Sequence, residues 1–176
     1  MEIEKKEDII KFVENNSKGK YSNNKDIRNK QFKIVDYLNE NECNEIKDLA
    51  FCTDDENLLK LDNIYALILY SLLYSKKEQH ILISMEMLRY VLGCNSKYAN
   101  INNFKSRCIY KPVEHIYDKT GLVIDALPVQ CYDVKNSETK KRFLFDTRKG
   151  IRIENVEVIK NIDILWYNEK RYWNLN

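Results

Sequence analysis

Asn102, Asn103, Lys105, Ser106 and Arg107 crowd into one short stretch of the chain, and their types are those a protein uses to read duplex DNA. Asparagine can both donate to and accept from the edge of adenine. Arginine can send two parallel N–H groups to guanine, while lysine and serine hold phosphate oxygens. Lys97 and Tyr98 stand just before the stretch, where they could bind backbone phosphate, and Lys111 closes it. A second group of cations, Lys140, Lys141 and Arg142, follows a polar run that begins at Asp133 and includes Lys135. Three consecutive cations beside a hairpin tip suit a sugar-phosphate chain. Lysine, asparagine and serine also cover ordinary solvated surfaces, so the chemistry depends on the elements that present them.

Those elements can be read from the local pattern. Ser84 can cap a helix that opens on Met85, Glu86 and Met87, and Gly93 stops it. A second helix is predicted from about Ile101 to Lys119, ended by Thr120-Gly121, with Ile101, Phe104, Cys108, Ile109, Val113 and Ile116 on one side. Pro112 lies inside it, and a kink or break is expected there, leaving Asn100 to Lys111 as the groove-facing part. Leu122 to Tyr132 reads as a strand, with Pro128 suiting an edge, and Arg142 to Phe145 as its return. Two helices joined by a tight turn and followed by a hairpin make a winged helix-turn-helix, whose second helix fits the major groove.

The remaining chain supplies the frame. Leu58 to Ser75 is the strongest helical pattern, and Ile81 to Ile83 a short buried strand after a turn at Lys76 to Gln79. Upstream, Ile9, Ile10 and Val13, then Ile27, Gln31, Ile34, Val35 and Leu38, then Ile46, Leu49 and Ala50 mark three helices with narrow apolar stripes. They are expected to pack on the main domain or on a second copy of the chain. The expected fold class is α+β, a winged helix-turn-helix with an N-terminal helical extension. The expected division is 1–57 extension, 58–160 DNA-binding domain and 161–176 aromatic tail. Ile151 to Ile159 suggests further extended structure, and Trp166, Tyr167, Tyr172 and Trp173 supply the tail's aromatics.

Composition narrows the function classes. The chain has 176 residues, 44% of them hydrophobic, enough for a real core. Its charged fraction is 32% but its net charge only +2, so it is not a polycation. Charge is uneven: Met1 to Asn57 holds ten Lys+Arg against fourteen Asp+Glu, and Leu58 to Asn176 nineteen against thirteen. The basic excess accompanies the helix-turn-helix.

Five cysteines without a Cys-x-x-Cys pair, and His80 and His115 without paired spacing, predict free thiols, no metal and no cofactor. Four scattered glycines make no phosphate-cradling loop, and no nucleophile sits in a recognisable turn, so no enzyme activity is expected. The charged N-terminus argues against a signal peptide, and the apolar run Ile64 to Tyr74 is too short to cross a bilayer. The expectation is a cytoplasmic protein with no membrane partner.

A family resemblance joins these pieces. Leu88-Arg89-Tyr90-Val91-Leu92-Gly93, then Tyr98, then Phe104-Lys105-Ser106-Arg107-Cys108-Ile109, then Val113-Glu114-His115-Ile116, then Thr120-Gly121-Leu122, resembles the winged-helix domain of plasmid replication initiator (Rep) proteins. Tyr65 to Leu73 is similar to that family's entry helix. The resemblance covers roughly Asn63 to Val129, less than half of the chain. It implies recognition of repeated origin or operator sites in double-stranded DNA, with Lys105 and Arg107 on the DNA-binding helix.

The chain departs from the family in showing one clear winged helix where initiators usually carry two. It also has His115 where Glu is favoured, Pro112 where a small residue is usual, and a longer wing. Replication, transcription regulation, partition and transfer all remain open as the process served. So does a homodimer on adjacent half-sites. A winged-helix protein adaptor that uses Trp166 and Trp173 is the alternative from another class.

Overall fold

The computed structural model describes residues 1–74, 80–133 and 137–149. The first elements are strand β1 (Glu2–Ile3), helices α1 (Lys6–Asn16) and α2 (Lys25–Glu40), and two 3-10 turns (Asn44–Phe51 and Glu56–Lys60). Helix α3 (Ile64–Leu73), strand β2 (His80–Ser84) and helix α4 (Met85–Val91) follow. A helix in three segments comes next: α5 (Ile101–Phe104), a π-helical stretch (Lys105–Tyr110) and α6 (Lys111–Thr120). Strands β3 (Leu122–Asp133) and β4 (Glu138–Lys149) close the described chain as a hairpin. The expectations for Lys76 to Gln79, Lys135, Ile151 to Ile159 and the aromatic tail lie outside the described residues.

This is an α+β winged-helix arrangement. The sheet order is β1-β2-β4-β3, with β1 parallel to β2 and the other pairs antiparallel. Pro128 lies on β3, which among the described residues pairs with β4 alone, so its missing N–H costs no ladder bond on a second side there. Strand β1 is two residues long, too short to leave a periodic signature, and is the one strand the sequence pattern does not announce.

Helix α3 is shorter than its apolar run suggests. Asn63 caps it by accepting from the backbone N–H groups of Tyr65 and Ala66, while Leu61 is extended at φ −102° and ψ 124°. Leu58 and Leu61 are still fully buried, from the 3-10 turn and the connection that follow Asp55. The periodicity therefore continued past the true helix start because burial, not helicity, was what it recorded. Every residue from Tyr65 to Leu73 is buried. The helix packs against α2, α6 and the Asn44–Phe51 turn.

The N-terminal helices share this core. Helix α1 buries Ile9, Phe12 and Val13, and α2 buries Ile27, Gln31, Ile34, Val35 and Leu38. Buried Gln31 is satisfied by accepting from the Ser22 backbone N–H at 2.7 Å. One apolar cluster runs from Ile3 through these helices and α3 to Phe143 and Phe145 of β4. The apolar stripes of α1 and α2 are thus buried within their own chain.

Candidate nucleic-acid interface

The helix-turn-helix is assembled by local chemistry at each end. Ser84 caps α4, its hydroxyl accepting from the Met87 N–H at 3.2 Å. Asn100 caps α5, accepting from the N–H groups of Asn102 and Asn103 at 2.9 and 3.1 Å. Gly121 ends α6 in the left-handed conformation, φ +73°, a position that favours glycine.

Between the caps the helix does not break at Pro112. The Lys111 N–H instead reaches the carbonyl of Ser106, five residues back, through the π-helical stretch. Proline supplies no N–H to the carbonyl four residues before it, and the wider turn absorbs that missing bond without ending the helix. Pro112 is itself buried at the start of α6.

This helix carries the predicted polar face. Asn102, Asn103, Arg107 and Lys111 are exposed, and Lys105 and Ser106 are half-buried. Phe104, Cys108, Ile109, Val113 and Ile116 point into the core, as their spacing predicts. Ile101 is the exception at 39% exposed, because it is the first residue after the cap and precedes the part of the helix that meets the core. Tyr110 is also exposed and lies beside Phe143 of the hairpin, ring centroids 6.4 Å apart. Among the described residues, no carboxylate forms an ion pair with Lys97, Lys105, Arg107 or Lys111. Among the described residues, then, nothing neutralises the cations of this face.

A ladder of tyrosines supports them. Tyr37 of α2 meets Tyr65 of α3 edge to face at 6.1 Å, and Tyr65 meets Tyr98 of the turn at 6.5 Å. Arg107 lies over the Tyr98 ring at 5.8 Å, and Lys97 over the Tyr37 ring at 5.0 Å. Such contacts at exposed sites contribute about 0.5–1 kcal/mol each, enough to bias an orientation but not to hold a charge away from phosphate. Burial pushes the hydroxyl pKa values of Tyr37 and Tyr65 well above the ordinary range, so both stay protonated at physiological pH.

Arg89 is the functional residue that residue-type reasoning passed over. Its guanidinium donates to the carbonyls of Lys97 and Tyr98 at 3.1 and 3.2 Å and lies 4.3 Å from the Phe104 ring. Tyr98 is held at φ +55°, a left-handed conformation that costs a non-glycine residue about 1–2 kcal/mol. Two charge-assisted hydrogen bonds of about 1.5–3 kcal/mol each outweigh that cost. Arg89 thus clamps the turn in the shape that presents Tyr98 to Arg107. The available signal was its place in the Leu88–Gly93 run, which marks a helix but not a clamp.

Arg89→Lys is expected to weaken this turn nearly as much as Arg89→Ala. An ammonium cannot span two carbonyls as the planar fork does. Amide hydrogen exchange of residues 95–100 should rise in both variants, and unchanged exchange in the lysine variant would count against the clamp.

The wing cations divide. Lys141 is exposed. Lys140 is 3.4 Å from a Glu138 oxygen and 4.0 Å from a Glu4 oxygen. Arg142 differs from the expectation of a backbone-holding cation: it is 4% exposed, and its guanidinium pairs with Glu4. The physical reason is topology. Arg142 lies opposite Ser84 in the β2–β4 register, and β1, which pairs with β2 on its other side, leads directly into Glu4.

Arg142→Ala is expected to lower stability by about 2–3 kcal/mol. That is less than for a fully buried pair, because Glu4 keeps 31% of its side chain in solvent. Lys141→Ala should leave stability unchanged. Urea unfolding of both variants distinguishes the two roles.

Other side chains with possible chemistry are spread out. His115 accepts from the Asp62 N–H at 3.5 Å, while His80 lies 3.5 Å from Asp146. Among the described residues no group of three or more His, Cys, Asp or Glu could hold a metal ion. Cys43, Cys52, Cys94 and Cys108 are free thiols. No helix among the described residues is long and apolar enough to cross a membrane.

Comparison with known proteins agrees with the geometry over one part of the chain. No curated protein matches the sequence, and no solved structure matches it. Residues 84–144, from the cap of α4 to the middle of β4, match the family model described as "Initiator Rep protein, WH2". That segment of the chain is similar to the winged-helix domain of initiator Rep proteins, the family to which its motifs point.

Proposed function

We propose that this chain binds double-stranded DNA in a sequence-specific, non-enzymatic manner, as a protein of the replication-initiator type. The helix from Ile101 to Lys111 enters the major groove. Asn102, Asn103 and Arg107 face base edges, and Lys97, Lys105 and Lys111 face phosphates. Lys141, with Lys140 beside it, follows the backbone from the wing. The observation that carries this reading is the set of cations with no ion-pair partner among the described residues, on the second helix of a motif that matches the Rep winged-helix family. Exposed Ile101, next to the two asparagines, adds an apolar group suited to a thymine methyl.

Selection of bound sequences from a random duplex pool tests the proposal. A recurring consensus of one half-site or a repeat supports it. Enrichment of no sequence, together with binding indifferent to salt, counts for the adaptor alternative. Pairing of two copies on adjacent sites belongs to the same proposal. Sedimentation of the chain on duplexes with one and two consensus sites reads it directly.

A further inference from the structure

Beneath the turn of the motif, two thiols touch. Cys94 Sγ, just after Gly93, lies 3.7 Å from Cys108 Sγ in the π-helical stretch, and both residues are fully buried. The other described cysteines are engaged elsewhere: Cys43 donates to the carbonyl of Tyr90, and Cys52 reaches the carbonyl of Asp48. Only Cys94 and Cys108, among the described residues, are in sulfur–sulfur contact. Neither thiol is needed to explain DNA contact, and small apolar residues would fill the space as well.

We propose that Cys94 and Cys108 are an oxidation site, a thiol pair that peroxide converts reversibly into a disulfide tying the turn of the motif to its second helix. A disulfide needs its sulfurs about 2.05 Å apart, so from 3.7 Å they must close by less than one S–S bond length. The Cys94 side chain is itself fully buried, so on this proposal peroxide enters from the turn side when the turn opens. Gly93, Asn95 and Ser96, which flank Cys94, line an open groove of about 930 Å³. A small opening of the turn admits hydrogen peroxide to the sulfur.

The two thiols are not equivalent. The Cys108 thiol beside it, helped by the Tyr65 and Tyr37 hydroxyls, holds the Cys94 thiol down to about 7, whereas the same contact and burial push Cys108 up. Cys94, whose chain neighbours Gly93, Asn95 and Ser96 line the groove, is accordingly the sulfur that peroxide meets first, and Cys108 the resolving one. The Cys94 thiolate attacks one peroxide oxygen, and the O–O bond breaks. The departing hydroxide takes up the proton that Cys94 released, giving water and a sulfenic acid on Cys94. The Cys108 sulfur then attacks the Cys94 sulfur. The S–O bond breaks, and the hydroxyl leaves as water with the Cys108 proton. Two thiols have lost two protons and two electrons, and one peroxide has become two waters.

The consequence for binding rests on the DNA reading above. Cys108 directly follows Arg107, and Cys94 anchors the turn through its N–H to the Arg89 carbonyl at 2.8 Å. Drawing the sulfurs together moves the backbone that carries Arg107 relative to Tyr98, because a close-packed interior transmits the shift. The oxidised chain binds duplex roughly tenfold more weakly than the reduced chain.

The test uses the full chain, reduced and then titrated with hydrogen peroxide, alkylated, digested and analysed by mass. The expected product is a cross-linked pair of peptides containing Cys94 and Cys108, lighter by two hydrogens, formed before Cys43 or Cys52 reacts and reversed by dithiothreitol. Cys108→Ala should stop the reaction at a Cys94 sulfenic acid that dimedone traps, and Cys94→Ala should leave Cys108 unreacted. Absence of the cross-link, or earlier oxidation of another cysteine, overturns the site. Duplex affinity of the oxidised chain, measured by anisotropy, tests the consequence separately. A cross-link that leaves affinity unchanged overturns the switch. A cross-linked chain that binds no duplex even when reduced leaves the site standing and removes the DNA reading instead.

Discussion

Replacing Lys105 and Arg107 together by alanine is expected to abolish sequence preference while the protein stays folded. Arg107 is exposed and Lys105 half-buried, and no described carboxylate forms an ion pair with either, so the folded state loses little when both are shortened. Surface changes of this kind usually fall within about 0.5 kcal/mol of neutral. The bound state loses far more. A bidentate arginine–guanine pair contributes about 1–3 kcal/mol of discrimination. A lost phosphate contact lowers the slope of log affinity against log salt by about 0.9. The combined change is a fall of roughly a hundredfold for the selected site, against a much smaller fall for random duplex. Anisotropy titrations with both duplexes at several salt concentrations measure it. A double variant that keeps its preference for the selected site would end the assignment of this helix to the groove.

Gly93→Ala should have the largest effect on stability of any single methyl added to the motif. A Cβ at this position would lie 2.8 Å from Tyr37 Cε1, 3.0 Å from the Tyr37 hydroxyl oxygen and 3.1 Å from Asn41 Cβ. The ring cannot simply rotate away, because the Tyr37 hydroxyl donates to the Leu92 carbonyl at 2.7 Å. Gly93 also sits at φ +60°, which adds about 1–2 kcal/mol for a residue with a side chain. Overpacking typically adds about 1–3 kcal/mol more, giving a loss of roughly 2–5 kcal/mol in all. Urea unfolding measures that loss.

A double-mutant cycle separates the two causes. Tyr37→Ala relieves the ring clash but neither the backbone strain nor the Asn41 contact, so the Gly93→Ala penalty should shrink towards the left-handed cost plus what Asn41 adds. An undiminished penalty would show that Tyr37 is not the obstacle.

Much of the motif was legible in local signals. Ser84, Gly93 and Gly121 act through their own backbone and the next few residues, so caps and stops could be read from residue type and spacing. The buried positions Phe104, Cys108, Ile109, Val113 and Ile116 followed from periodicity, and Pro128 on an edge strand from its missing N–H. Pro112 was read as the site of a kink or a break; the helix does not break there, and the π-helical stretch before it left no signal in residue type or spacing.

The long-range contacts were not legible. Glu4 meets Arg142 across 138 positions of sequence, and Tyr37 meets the Leu92 carbonyl across 55. Arg142 looks like its neighbours Lys140 and Lys141 in a sequence, and only the pairing of β1 with β2 and β2 with β4 turns it inward.

The sequence by itself determined which residues form the turn, the second helix and the hairpin, because caps, breakers and apolar spacing act over a few residues at a time. The tertiary structure decided which charges remain available to a partner, since neutralisation depends on groups brought together from opposite ends of the chain. It also decided that α1 and α2 belong to the motif's own core, for Tyr37 has no meaning as a support until Gly93 and Lys97 are folded against it.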